Sequence, residues 1–264
     1  MNAQPTPMRN CVILGSGRSG TSLAAGMLAK AGYFMGEELY PPDDGNPKGY
    51  FEDREINGIN EGLLARLFPT PKRSLGDRLR RRRSHRQWDR WLAEIQPGTL
   101  ITSSVKLDGR IAAMTARAPF CFKDPRFCYT LPAWRPYLAN TLLLCVFRHP
   151  AITAASLLKE AQRMRNLSEI GTRIDLELAL RVWRLMYTHV LETHRPAGGE
   201  WLFMHYDQLV DGTALAQIQR RLEVRGDREF ADAMLRRSAP AGPVPPVVVE
   251  LYRRLCDLAE YQAA

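Results

Sequence analysis

A chain of 264 residues with 45% hydrophobic and 25% charged side chains is ordinary globular composition, enough for one sizeable core. Its formal net charge of +9 favours an anionic partner such as a nucleotide, an acidic glycan, nucleic acid or a membrane surface, without choosing among them. Five cysteines without Cys-x-x-Cys spacing exclude a disulfide frame or zinc site in favour of reduced thiols in a cytoplasmic protein, and no apolar run approaches the ~20 residues of a membrane span.

Residues 1–9 are polar and carry prolines, which predicts a disordered tail with no export or anchor signal. Cys11-Val12-Ile13-Leu14 then reads as a buried strand, followed by Gly15-Ser16-Gly17-Arg18-Ser19-Gly20-Thr21-Ser22 and a helical pattern over residues 19–31. Glycine at these spacings lets the backbone take positive φ and approach a ligand closely. Successive N–H groups can then converge on an anion at the helix start. Gly15, Gly20 and Ser22 fit the Walker spacing, but Thr21 stands where that pattern needs lysine, and the cation has moved upstream to Arg18. The loop predicts a phosphate site, and the missing lysine weakens an ATP reading of it.

Further apolar runs short enough for buried strands are residues 100–105, 120–122, 142–147 and 201–204. Helical patterns cover 55–68, 86–95, 150–166, 175–194, 213–222 and 247–259, with Trp183 and Tyr187 at core spacing and read as packing. The expectation is an α/β fold: a three-layer P-loop-type domain spanning 1–264, with about five parallel strands flanked by helices. Residues 69–90 form a basic insertion or helix, and within it Arg78 to Arg86, including Arg80 to Arg83, reads as a solvated helix face or flexible loop. In such sheets ligands bind beyond the carboxyl ends of the strands. There stand the glycine loop, Lys106, Lys123-Asp124-Pro125-Arg126, Arg148-His149-Pro150 and His205-Tyr206-Asp207.

Arg148 closes one strand, and Ser156 follows eight residues later on the next helix, so a guanidinium and a hydroxyl can meet on one phosphate. Two anion sites in this order resemble those of sulfotransferases that use 3′-phosphoadenosine 5′-phosphosulfate (PAPS). Arg-Ser-Gly-Thr, Gly-Glu-Glu at residues 36–38, Lys-Asp-Pro, the Arg and Ser eight apart and Tyr-Asp-Gln-Leu-Val resemble the tyrosylprotein branch of that superfamily. Asn46-Pro47-Lys48-Gly49-Tyr50-Phe51-Glu52 looks more like its bacterial members. The resemblance covers residues 11–224 as islands.

The resemblance implies that Gly17, Arg18, Ser19, Gly20, Thr21 and Ser22 hold the 5′-phosphosulfate of PAPS. It places Arg148 and Ser156 on the 3′-phosphate, with Tyr206 near the nucleotide. Arg18 and Lys123 would stabilise the transferring group, and adenosine 3′,5′-bisphosphate (PAP) would be the product. Glu38 and Glu52 are rival general bases for the acceptor hydroxyl. The Lys-Trp dipeptide of many relatives is missing, which leaves Arg236 and Arg237 as candidates for the adenine side. The expected acceptor is a hydroxyl on a small molecule, lipid or carbohydrate, with no metal, no nucleic acid and no membrane span. Two other readings are an ATP-dependent P-loop phosphotransferase and a non-catalytic binder of anionic glycan or nucleic acid.

Overall fold

The computed structural model describes residues 8–68, 89–166, 174–232 and 239–262. Four strands, β1 (Asn10–Leu14), β2 (Cys121–Lys123), β3 (Thr141–Phe147) and β4 (Glu200–His205), form an all-parallel sheet in the order β2-β1-β3-β4. Being parallel and covered on both faces, the strands β1 to β3 are buried at every residue, as their unbroken apolar runs require. The period-two alternation then sorts their side chains. Val12, Leu14, Phe122, Leu143, Cys145 and Phe147 enter one core, while Cys11, Ile13, Cys121, Leu142, Leu144 and Val146 enter the other.

Ten α-helices complete the described residues. They are α1 (Thr21–Leu28), α2 (Arg54–Ala65), α3 (Val105–Thr115), α4 (Phe127–Trp134), α5 (Pro150–Asn166), α6 (Leu176–Thr188), α7 (Tyr206–Val210), α8 (Thr213–Leu222), α9 (Arg228–Asp232) and α10 (Pro246–Leu258). Helix α1 covers one face through Leu23 and Met27. Helix α5, following the neighbouring strand, covers the other through Ala154 and Leu157. The chain leaves β1 and β3 toward opposite faces, which opens a crevice between their carboxyl ends.

Two expectations change. The strand read at residues 100–105 does not form: residues 101–104 are irregular, and Ser104 instead caps α3, its Oγ accepting from Leu107 N–H at 3.4 Å. Leu107, Ile111 and Met114 supply that helix with a buried face at i, i+4, i+7 spacing, while Leu100 and Val105 remain 78% and 90% exposed. Lys106 accordingly sits exposed on α3 and marks no strand end. Residues 1–7 of the expected tail lie outside the described residues, while Met8 packs on the core and Arg9 pairs with Glu200 at 2.6 Å. Of the basic segment, residues 69–88 and the run Arg80 to Arg83 lie outside the described residues. Arg90, at the end of that segment, is buried and pairs with Glu61 at 2.8 Å.

All five cysteines are free and buried. Helix α4 carries Pro132, whose missing N–H orphans the Cys128 carbonyl one turn back. His194 Nε2 donates to that oxygen at 2.9 Å from the π-helical turn that ends α6.

Candidate active site

The glycine loop leaves β1 at Gly15 (φ +149°), where a Cβ would lie 2.1 Å from the Val146 carbonyl oxygen of the next strand. Only glycine fits so close a backbone approach. Ser16 N–H donates to Tyr187 Oη at 3.1 Å, and the tyrosine proton goes to Val146 O at 2.7 Å, so one buried phenol pins the loop to the sheet. The two serine hydroxyls of Ser16 and Ser19 close the turn at 2.7 Å. Arg18 takes φ +68°, a left-handed conformation costing a non-glycine residue roughly 1–2 kcal/mol. Gly20 (φ +99°) caps α1 without a side-chain bond, leaving the first-turn N–H groups without the acceptor that a capping side chain supplies.

One cavity of about 870 Å³ opens over this loop and the ends of β2 and β3. Of the residues expected at the site, Gly17, Arg18, Gly20, Thr21, Ser22, Glu52, Lys123, Arg148, Ser156 and Tyr206 line it. Ser19 is fully buried with its hydroxyl on Ser16 and is not in the lining. Glu38 is also outside the lining: its carboxylate is 76% exposed and lies 3.8 Å from Arg54. Arg236 and Arg237 lie outside the described residues.

The lining is cationic. Arg18, Lys48, Arg54, Lys123, Arg126, Arg148, Lys159 and Arg163 face four acids, Asp43, Asp44, Glu52 and Glu160. Arg18 Nε donates to Ser156 Oγ at 3.1 Å and its Nη2 to Gly45 O at 3.1 Å. The loop arginine and the serine of the second expected anion site are therefore in direct contact. Arg148 stacks its guanidinium 4.1 Å from the centre of the Tyr206 ring. The same ring fills the space beside Gly20, where a Cβ would come within 2.6 Å of it. Tyr206 thus touches both the glycine loop and Arg148.

Lys123, the last residue of β2 and 2% exposed, forms an ion pair with Glu52. Beneath them Asp124 is wholly buried and accepts from Asn57, Asn60 and the Arg126 backbone. Burial pushes the Asp124 carboxyl up, against the pull of the Arg126 guanidinium. Arg126 itself bonds Glu61 at 2.6 Å through Nε, and Asp124 at 3.1 Å and Asn57 at 3.2 Å through Nη1. Burial opposes its charge, yet Asp124 and Glu61 more than offset this and hold its pKa above the ordinary value.

Some of these residues escaped the sequence reading. Tyr187 was legible as core, but nothing in its helical spacing says that its hydroxyl meets residue 16. Trp91 packs its indole 2.7 Å from the Cβ position of Gly17 and walls the cavity, which only the fold could show. Glu160 and Arg163 follow Ser156 by one and two turns of α5, a spacing that did carry a signal. Arg163 reaches across to Asp43 at 3.0 Å.

No protein-family model matches the chain, and no curated protein is similar to it in a sequence comparison. Among solved structures it is similar to the sulfotransferase domain of the olefin synthase from Synechococcus PCC 7002, with TM-score 0.53 and 17% identity over 100% of each chain. It is also similar to the sulfotransferase domain of the curacin biosynthetic pathway, with TM-score 0.51 and 16% identity over 99% of this chain and 100% of the other. The chain has the sulfotransferase fold, as its motifs implied.

Proposed function

We propose that the protein transfers a sulfuryl group from PAPS to a hydroxyl-bearing acceptor and releases PAP. The observation that carries this reading is the meeting of Arg18, Arg148 and Ser156, from three separate segments, around one cationic cavity that also holds Lys123 and Glu52. Arg148 and Ser156 would take the 3′-phosphate, and Arg18 with the first-turn amides of α1 the 5′-phosphosulfate. Ser156 accepts from Arg18 through a lone pair, so its own proton can still go to an anion.

Between the two carboxylates, Glu52 is the base: it lines the cavity beside Lys123, whereas Glu38 points to solvent. In the reaction the acceptor O–H bond breaks and its proton passes to Glu52. The freed electron pair forms the new O–S bond as the S–O bond to the 5′-phosphate breaks in line. Arg18, Lys123 and the loop amides hold the negative charge that gathers on the sulfuryl oxygens and the departing phosphate. The acceptor belongs to the small hydroxylated compounds, a carbohydrate or natural product among them, and the site of action is the cytoplasm.

The test is calorimetric titration with PAP, followed by transfer of ³⁵S from labelled PAPS across a panel of hydroxylated metabolites and glycans. Saturable PAP binding together with labelled product supports the assignment. Magnesium-dependent ATP turnover with indifference to PAPS would sink it.

A further inference from the structure

Asn57 lies on the second turn of α2 and is 5% exposed. Both protons of its amide are used: Nδ2 donates to Glu52 Oε2 at 3.3 Å and to Asp124 Oδ2 at 3.0 Å. Its Oδ1 accepts from Arg126 Nη1 at 3.2 Å. One small side chain thus touches two carboxylates and a guanidinium. The place demands a neutral group that both donates and accepts. A carboxylate there would bring a third negative charge against Glu52 and Asp124, and an apolar group would strip hydrogen bonds from all three partners.

The anchor for this amide is rigid. Asp124 is 0% exposed and also accepts from Asn60 Nδ2 at 2.8 Å and from Arg126 N–H at 2.8 Å. Glu52, by contrast, follows Phe51 (φ +53°) on an irregular segment and depends on side-chain contacts for its orientation. Lys123 takes its Oε1 and Asn57 its Oε2. A carboxylate gripped at both oxygens has one rotamer and still offers a lone pair to a proton.

We propose that Asn57 is a positioning residue, its amide fixing the Glu52 carboxylate against Lys123 by bracing it on the buried Asp124–Arg126 pair. This rests on Glu52 acting as the base. The charged and titratable groups around Glu52 are Lys123 and Asp124 from β2 and its end, Arg126 before α4, and Tyr40 with Arg54 from the facing segment. None of them can replace a neutral donor at Oε2.

The experiment begins with the unaltered protein. The Asn57 side-chain amide, followed by ¹⁵N NMR through a pH titration, is expected to shift as Glu52 ionises and to lose that inflection in Glu52→Gln. An amide insensitive to Glu52 overturns the proposal, whatever the variants do. Asn57→Leu and Asn57→Asp, checked by thermal unfolding, are then expected to lose on the order of 10²-fold in kcat for PAPS-dependent transfer while PAP affinity stays within about twofold. Unchanged kcat in a folded variant, or equal losses in kcat and PAP affinity, defeats the positioning role alone. Failure of the unaltered protein to bind PAP or to transfer label overturns the reading of the site instead, and with it the reason to position Glu52.

Discussion

Glu52 and Glu38 differ in what surrounds them. Glu38 makes one contact with Arg54, and both side chains are more than half exposed, a class of pair that contributes ~0–1 kcal/mol and orients little. Glu52 is 15% exposed and held by Lys123 and Asn57. Glu52→Gln is therefore expected to slow transfer from PAPS by about 10²-fold or more, with PAP affinity nearly unchanged, whereas Glu38→Gln leaves steady-state rates close to the parent's. The reverse ranking would return the base to Glu38. Tyr206 provides a second residue-scale test. Its ring supports Arg148 through a cation–π contact of about 1 kcal/mol, or a factor of ~5 in binding. Calorimetry should find PAP binding weakened about that much in Tyr206→Leu and preserved in Tyr206→Phe.

At the scale of elements, the site depends on how the glycine loop is tied to the sheet and to α6. Tyr187 is fully buried and satisfies two backbone groups at once, the Ser16 N–H and the Val146 carbonyl. Tyr187→Phe removes one oxygen and leaves both groups unmet, at a cost of about 1–3 kcal/mol. Urea unfolding should register that loss as a lower midpoint with an unchanged slope, accompanied by weaker PAP binding because the loop loses its brace. A variant as stable as the parent would show that the loop holds its shape without the phenol. The helix α2 plays a comparable role on the other wall. Its cap Asp53 accepts from Glu55 and Ile56 N–H and also from Glu38 N–H, tying the helix start to the segment that leads into the cavity.

At the scale of the whole molecule, acid sensitivity should come from the buried side of the sheet. Burial lowers His194 to about 4, and burial likewise lowers His189, whose ring nitrogen contacts the Ile95 carbonyl at 3.0 Å. An unfolded histidine titrates near 6.5, so between about pH 6.5 and pH 4 the unfolded chain binds the proton that the folded chain refuses. The contribution of His194 is fully present above pH 6.5 and falls away as pH drops through that window, by on the order of 3 kcal/mol. Denaturation at pH 7 and pH 4.5 should show this loss in the parent and a smaller one in His194→Gln, whose amide can still donate to Cys128 O. Equal losses in both proteins would assign the acid sensitivity elsewhere.

Local physics made part of this molecule legible from residue order alone. An apolar run ending in spaced glycines is a strand, a left-handed turn and a helix start, because φ preferences and side-chain periods act within a few residues. The cations at the ends of β1, β2 and β3 followed from that reading, and so did the parallel sheet. The false strand at residues 100–105 arose where an apolar run overlapped a serine cap, two local signals of similar strength that the packing of Leu107 and Ile111 resolved in favour of a helix. The site was a different matter. Arg18 meets Ser156 across 138 residues, and Lys123 meets Glu52 across 71. Which carboxylate reaches the lysine, which hydroxyl braces the loop and which amide sits among the charges depend on how distant segments pack. Such contacts are set by the volume and burial of the whole core, and no window of neighbouring residues encodes them.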